Sequence, residues 1–362
     1  MPPEPLPEKP MAQEESNPSR TLGIIVNPAS GRDARRLFAR AGSSTNDSKR
    51  NQVERLIVGA AAAGAERVVL TRDAFRIAQG ACDALGVDIE VEMHDLGYSG
   101  KASDTRAAVE LMRERECAAL GVLGGDGTSR IVASTWPDAP ILPLSTGTNN
   151  VFPQMLEATV AGAALGLVAS GRVPLSRVAR RTKIVRVEIE GESDDLALID
   201  AVHMVDDSTG NLLPFDPEKM RTLVLSRALP DAVGVSPIGG LLEVCSADDE
   251  FALLVECAAP GKGGRTLLAP ISPGLYRPVE IASHRRLPLG ERVEIRGGGL
   301  IACDGDRERA LSPNQRAHLR VERNGPFLIE AARTLAAAAE SGLYLDREPW
   351  HDHREGHGPD CC

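Results

Sequence analysis

Aromatic residues are scarce, at 3% of the 362-residue chain, so a core here must rest on Leu, Val, Ile and Ala. No apolar run approaches the roughly 20 residues that a membrane-spanning helix needs. The N-terminal stretch MPPEPLPEKPMAQEESNPSR lacks the apolar segment of a secretory signal. Positive charge is not in excess: 41 Lys and Arg stand against 51 Asp and Glu, a net charge of −10. That balance argues against broad binding to nucleic acid or to an anionic membrane. Seven cysteines, odd in number and scattered, give no disulfide framework. Cys82, Cys117, Cys245, Cys257 and Cys303 lie in apolar stretches and read as buried, reduced thiols, which suits a cytoplasmic protein. Familiar motifs are missing as well. There is no G-x-x-x-x-G-K-[ST], no early G-x-G-x-x-G, no H-E-x-x-H and no G-x-S-x-G, so Walker-type, ordinary dinucleotide-dehydrogenase, zincin and nucleophile-elbow readings lose their support.

What is present is a change of texture along the chain. Residues 1–20 hold six prolines and read as a disordered leader. From Thr21 to residue 178 short apolar strands alternate with helices. TLGIIVN is a strand, and NDSKRNQVERLIVGAAAAGA sets Val53, Leu56, Ile57 and Ala60 on one helical face. ERVVLT, VDIEVEMHDL, AALGVL and PILPL are further strands, and ASDTRAAVELMREREC is a helix with Ser103 or Asp104 as its N-cap. Such alternation implies a Rossmann-like α/β domain with a parallel sheet covered on both faces. Over residues 179–326 strand follows strand with Gly and Pro turns, which implies an all-β, antiparallel β-sandwich domain. The glycine-rich GKGGRT at 261–266 reads as a hairpin loop within it. Residues 327–345, containing FLIEAARTLAAAAESGLY, read as a helix packing back on the first domain. Residues 346–362, with HDHREGHGPDCC, lack the spacing of a structural zinc site and read as a disordered tail.

The stretch CAALGVLGGDGTSRIVAS, residues 117–134, carries the chemistry. One reading is a tight strand-to-helix turn. The other is a phosphate site in which amides around Gly124, Gly125 and Gly127 turn inward at the positive end of a helix. Asp126 sharpens the second reading, because a carboxylate beside phosphate is repulsive unless it binds Mg²⁺ or takes a proton from an attacking hydroxyl. Thr128 is placed as a helix N-cap or as a phosphate donor. Two other loops end strands in small hydrogen-bonding residues: NPASGRDARR, with Asn27, Ser30 and Gly31, and PLSTGTNNVFP, with Thr146, Gly147, Thr148, Asn149 and Asn150. Arg32, Arg35 and Arg36 either reach a polyphosphate or form a solvated basic face. Ligands of open parallel sheets gather at the carboxyl ends of the strands, so the three loops are expected to share one crevice. Asp304 and Asp306 in CDGDRE are either a second acidic, Mg²⁺-binding element or a hairpin turn.

On these residues the chain resembles the superfamily of NAD kinases and diacylglycerol or sphingoid-lipid kinases. GGDGT with an upstream NPASG is the shared pattern. LLAPISPGLYRPVEI is similar to the NAD-kinase segment P-I-x-P-H-x-L-x-x-R-P, and IACDGDRE sits where those enzymes have D-G-Q, D-G-E or D-G-D. The order of elements looks closest to the NAD-kinase-like proteins of acetoin-catabolism clusters. The resemblance implies a site between an α/β and a β-rich domain, homodimers or homotetramers, and a Mg²⁺-dependent kinase that uses ATP. It makes Asp126 the acid–base residue at the 2′-hydroxyl of NAD, with the loop residues binding nucleotide. Asp200, in LALIDAV, matches the acidic residue that holds the dinucleotide. Ile199 replaces the asparagine beside it, and Gly274 replaces the histidine of the P-I-x-P-H segment. STGTNNVF looks more like the lipid-kinase G-T-x-N loop. A lipid-type kinase and a nucleotide sensor without turnover are therefore the alternative expectations.

Overall fold

The apolar runs at Thr21–Val26, Ala119–Gly124 and Pro140–Ser145 are short because each is a strand buried on both faces. The computed structural model describes residues 19–31, 44–147 and 150–345. The tail 346–362, most of the leader, Arg32, Arg35, Arg36, Thr148 and Asn149 lie outside them. The first half runs β1 (Thr21–Val26), α1 (Asn46–Ala62), β2 (Arg67–Thr71), α2 (Ile77–Asp83), β3 (Glu90–His94), α3 (Ala102–Glu114) and β4 (Ala119–Gly124). It continues through α4 (Asp126–Thr135), β5 (Pro140–Ser145), α5 (Ala158–Ala169), α6 (Leu175–Val178) and β6 (Ala179–Arg181).

The second half is β7 (Ile184–Ile189), β8 (Asp195–Ala197), β9 (Asp200–Met204), β10 (Met220–Leu225), α7 (Ser236–Gly240), β11 (Phe251–Cys257), β12 (Arg265–Ser272) and β13 (Leu275–Pro288). It ends with β14 (Arg292–Arg296), β15 (Gly299–Cys303), β16 (Asp306–Leu311), β17 (Arg316–Glu322), β18 (Phe327–Ile329) and α8 (Ala331–Glu340).

The first sheet has the order β3-β2-β1-β4-β5-β18-β6. It is parallel through β18, and β6 closes it antiparallel. The helices α1, α2, α5 and α8 bury one face around Leu56, Ile57, Leu70 and Leu165. The other face is covered by α3 and α4 through Val109, Met112 and Val132, a core that also takes in Leu198 and Ile199 of the second half. The helices α1 and α5 pack backbone to backbone. A Cβ at Gly162 would stand 2.1 Å from the carbonyl oxygen of Leu56, and one at Gly59 2.2 Å from that of Thr159. Only glycine lets the two backbones approach so far.

The second half forms a seven-stranded sheet, β12-β13-β11-β10-β9-β15-β16, and a four-stranded one, β14-β17-β7-β8. All their pairings are antiparallel. Val185, Val187 and Leu319 of the smaller sheet meet Val224, Leu254 and Ile301 of the larger one, so this is the expected sandwich.

Several details depart from the sequence reading. The segment DRERAL, strand β16, has too few apolar residues to show alternation. GKGGRT is not a hairpin loop: it joins β11 to β12, and β13 lies between them. The stretch FLIEAARTL begins as strand β18, not as helix, because Phe327 and Leu328 pair with Pro140 and Ile141. The N-cap of α3 is Lys101, without a side-chain bond. Asp104, inside the first turn, instead accepts from the amides of Ser99 and Gly100 at 3.0 and 2.8 Å. Cys82 is only partly buried, whereas the other four named cysteines are buried. Among the described residues no helix is long and apolar enough to cross a membrane.

Candidate active site

The strands β1 and β4 are neighbours in the sheet, but β1 continues towards β2 on one side and β4 towards β5 on the other. Chains that diverge in this way open a crevice at the carboxyl ends of the strands. In the loop after β1, Asn27 donates through Nδ2 to Thr128 Oγ1 at 2.8 Å and accepts from the amide of Ala29 at 2.9 Å. Gly31 has φ +72°, and a Cβ there would stand 2.5 Å from the carbonyl oxygen of Thr146. Thr146 in turn donates to Ser30 Oγ at 2.8 Å. The three expected loops are thus tied together directly by side chains.

The helix α4 starts one residue after β4. Its N-cap, Gly125, has φ −105° and brings no side-chain cap, so the first-turn amides have no side-chain partner from the cap and face the crevice. None of Gly124, Gly125 and Gly127 is left-handed. The glycines therefore do not act by turning the chain, as expected, but by leaving room. A Cβ at Gly124 would fall 2.6 Å from the Thr128 side chain, at Gly125 2.9 Å from Asn150 Oδ1, and at Gly127 3.1 Å from Asp306 Oδ2. Thr128 is not the N-cap; it is buried in the first turn, where it accepts the Asn27 bond.

Asp126 is the first residue of α4, and its carboxylate reaches the loop after β5. It accepts from the amide of Phe152 at 2.8 Å and from that of Val151 at 3.1 and 3.2 Å. Burial pushes its pKa up to about 6 against the pull of those amides and of the Arg227 charge, with Asp306 adding to the rise. Arg227 is itself buried, its guanidinium 4.7 Å from the centre of the Phe152 ring. Burial lowers its pKa to about 10 even though Asp126 and Asp304 oppose the shift.

Asp304 is the turn residue of the two readings made of it. With φ +49° it opens, together with Gly305 at φ +88°, the two-residue turn between β15 and β16. Its carboxylate accepts from the amides of Leu198 and Ile199 at 2.7 Å each and of Asp200 at 3.2 Å. Burial raises its pKa, and the nearby charge of Asp126 raises it further. Asp200 is shifted well upward by burial and by the charges of Asp304 and Asp126. Its Oδ1 is buried without a hydrogen-bond partner.

A cavity of about 860 Å³ occupies the crevice. Asn27, Ser30, Gly31, Gly125, Asp126, Gly127, Thr128, Gly147 and Asn150 border it from the first half; Asp304, Asp306, Ser272 and Pro273 border it from the second. Asp200 does not line it, and Gly124 and Thr146 lie just behind. Gly274, at φ +72°, completes the two-residue turn after Pro273, a backbone that favours glycine. Exposed Phe75, Leu96, Tyr98 and Leu212 add an apolar rim that sequence reading missed. It missed two buried cations as well. Arg227 had a visible signal, standing inside the apolar run LVLSRAL. Lys49 had another, lying four residues before Val53 on the apolar face of α1.

Among the described residues no group of three or more His, Cys, Asp or Glu is arranged to hold a metal ion. Asp304 and Asp126 both spend their oxygens on amides, whereas Asp306 borders the cavity from the second half. One or two carboxylates facing a phosphate-sized space fit Mg²⁺, which is commonly carried on substrate phosphates rather than caged by protein.

Comparison with known proteins agrees with this division of the chain. Residues 22–173 match the model of the ATP-NAD kinase N-terminal domain, and residues 183–324 match that of the acetoin catabolism protein X C-terminal domain. Acetoin catabolism protein X of Cupriavidus necator strain H16 is 36% identical over 334 residues, covering 89% of this chain and 93% of that protein. A solved structure from Bacillus anthracis str. Sterne that bears a diacylglycerol kinase name aligns with 87% of this chain and 98% of its own, at 11% identity and a TM-score of 0.47.

Proposed function

The chain belongs to the family of acetoin catabolism protein X, and from that membership we propose that it is a cytoplasmic phosphotransferase moving the terminal phosphoryl group of ATP onto a hydroxyl. The first acceptor to test is the 2′-hydroxyl of NAD. One observation carries the reading: the first turn of α4, uncapped by any side chain, meets the carboxylate of Asp126, whose pKa is raised to about 6, at the edge of one cavity. The amides suit the phosphate chain, and a base with a pKa just below neutrality suits the hydroxyl proton. The ATP-NAD kinase character of the N-terminal half supports the same donor.

The reaction forms a bond between the acceptor oxygen and the terminal phosphorus and breaks the bond to ADP, and the acceptor proton goes to Asp126. Most of the acceleration in such a transfer comes from positioning and charge neutralisation. The amides of Val151 and Phe152 fix the carboxylate, and Arg227 favours its ionised form. Asp306 would hold Mg²⁺, whose charge offsets that of the phosphates when bound. A homodimer or homotetramer is proposed for the assembly, which light scattering would measure.

A second reading has its own support. Asp200, the match to the dinucleotide-holding acid, is buried and does not border the cavity, and Ile199 is part of the core. Both features favour a hydroxyl acceptor other than NAD.

The test is product formation from NAD and ATP with Mg²⁺, or with polyphosphate in place of ATP, read through an NADP-specific dehydrogenase. NADP from the wild type but not from Asp126→Asn is the expected result. ADP release that depends on a different alcohol supports the second reading. Tight ATP binding with no phosphorylated product from any acceptor overturns the kinase and leaves a nucleotide sensor.

A further inference from the structure

Lys49 is a charged side chain with no exposure to solvent at all. It rises from the first turn of α1 beneath the loop that follows β1, and it does not border the cavity. Its Nζ donates to three carbonyl oxygens of that loop: Ser30 at 2.6 Å, Pro28 at 2.7 Å and Asn27 at 3.1 Å. A buried ammonium is retained only where hydrogen bonds replace its water. Three such bonds come from one four-residue segment, whose other side borders the cavity.

Geometry links the two sides. In a planar trans peptide the carbonyl and the next N–H point in opposite directions. A Ser30 carbonyl held on Lys49 therefore sends the amide of Gly31 away from Lys49. In the same way the Pro28 carbonyl turns the amide of Ala29 outward, where the Asn27 side chain takes it at 2.9 Å. Gly31 must be glycine at that point, with φ +72° and a carbonyl oxygen in the place of a Cβ.

We infer that Lys49 is a positioning residue for the phosphate chain: one ammonium gathers the carbonyls of Asn27, Pro28 and Ser30 and so presents the Gly31 amide to an anion in the cavity. The inference rests on the nucleotide reading given above and names the part of the site that would select phosphate.

The probes are ATP, inorganic tripolyphosphate and adenosine, measured by calorimetry on the full chain. Lys49→Gln, which keeps a donor but loses the charge, and Lys49→Met are compared with the wild type, and thermal melts establish that each is folded. The expected result is at least a tenfold loss of affinity for ATP and tripolyphosphate with adenosine binding unchanged. Folded variants that bind tripolyphosphate as the wild type does would overturn the inference while leaving the nucleotide reading standing. A wild type that binds neither ATP nor tripolyphosphate overturns both. If both variants unfold, the wild type decides. Labelling serine carbonyl carbon and glycine nitrogen selects amides that follow serine, Gly31 among them, and Gly31→Ala identifies its resonance. A shift on adding tripolyphosphate supports the inference, and no shift overturns it.

Discussion

Asn27 and Thr128 stand 101 residues apart in the chain, yet Nδ2 of one donates to Oγ1 of the other at 2.8 Å. The bond joins the loop after β1 to the first turn of α4, so the two phosphate-facing segments keep one geometry. Thr128→Val preserves shape and removes the acceptor. Stability should fall by about 1 kcal/mol, the lower part of the range for an orphaned polar group because the pair is only partly buried. Affinity for ATP should fall several-fold. Urea unfolding and calorimetry on the same sample check both, and a variant equal to the wild type in both would show the bond to be incidental.

Asp126 must be ionised to take a proton, and its pKa is raised to about 6. Activity with any acceptor should therefore rise with pH through about 6 and level off above 7. Asp126→Asn should lose on the order of 10²–10⁴-fold in turnover while ATP binding stays within a few-fold. A pH–rate profile with full activity at pH 5 would sink the assignment.

Three carboxylates, buried Asp200 and half-buried Asp126 and Asp304, are held by desolvation at pKa values above those of an unfolded chain. The folded state then binds more protons, so their contribution to stability is complete below about pH 4 and is lost as pH rises through the folded values. Melting temperature should rise as pH is lowered from 7.5 towards 5.5. Asp200→Asn removes the group with no hydrogen-bond partner for Oδ1 and should flatten that slope. A slope of the opposite sign between pH 5.5 and 7.5 would contradict the burial argument.

Gly162→Ala places a Cβ 2.1 Å from the carbonyl oxygen of Leu56, and a backbone atom cannot step aside as a side chain can. A loss of about 1–3 kcal/mol is expected from such overpacking. Gly86→Ala is the control, since a Cβ there meets nothing within 4 Å, and it should be neutral or slightly stabilising. Equal melting temperatures for the two variants would mean that α1 and α5 separate readily.

Much of this was legible in the residues. Alternating strands and helices gave the parallel sheet because a strand buried on both faces must be apolar throughout, and Leu22, Ile24, Ile25, Leu120 and Val122 are. Asp126 stood out because a carboxylate beside a phosphate-binding loop repels that ligand unless it binds Mg²⁺ or takes a proton. Other parts were hidden. DRERAL is strand β16 through its pairing with Gly299–Ile301, not through its own pattern. Asp304 reads as a turn residue or an acid, and only the fold brings the amides of residues 198–200 to it.

By itself the sequence determined the two-domain order, the three glycine-rich loops and the acidic residue among them, because periodicity and local steric freedom are properties of short segments. Tertiary structure decided the rest: that β18 returns from the far end to join the first sheet, that Asp200 does not border the cavity, and that Lys49 and Arg227 are buried. The reason is physical. A charge or a polar edge strand is stable only with partners, and those partners, such as the Ser30 carbonyl for Lys49 and Pro140 for Phe327, lie many residues away along the chain and meet only when it folds.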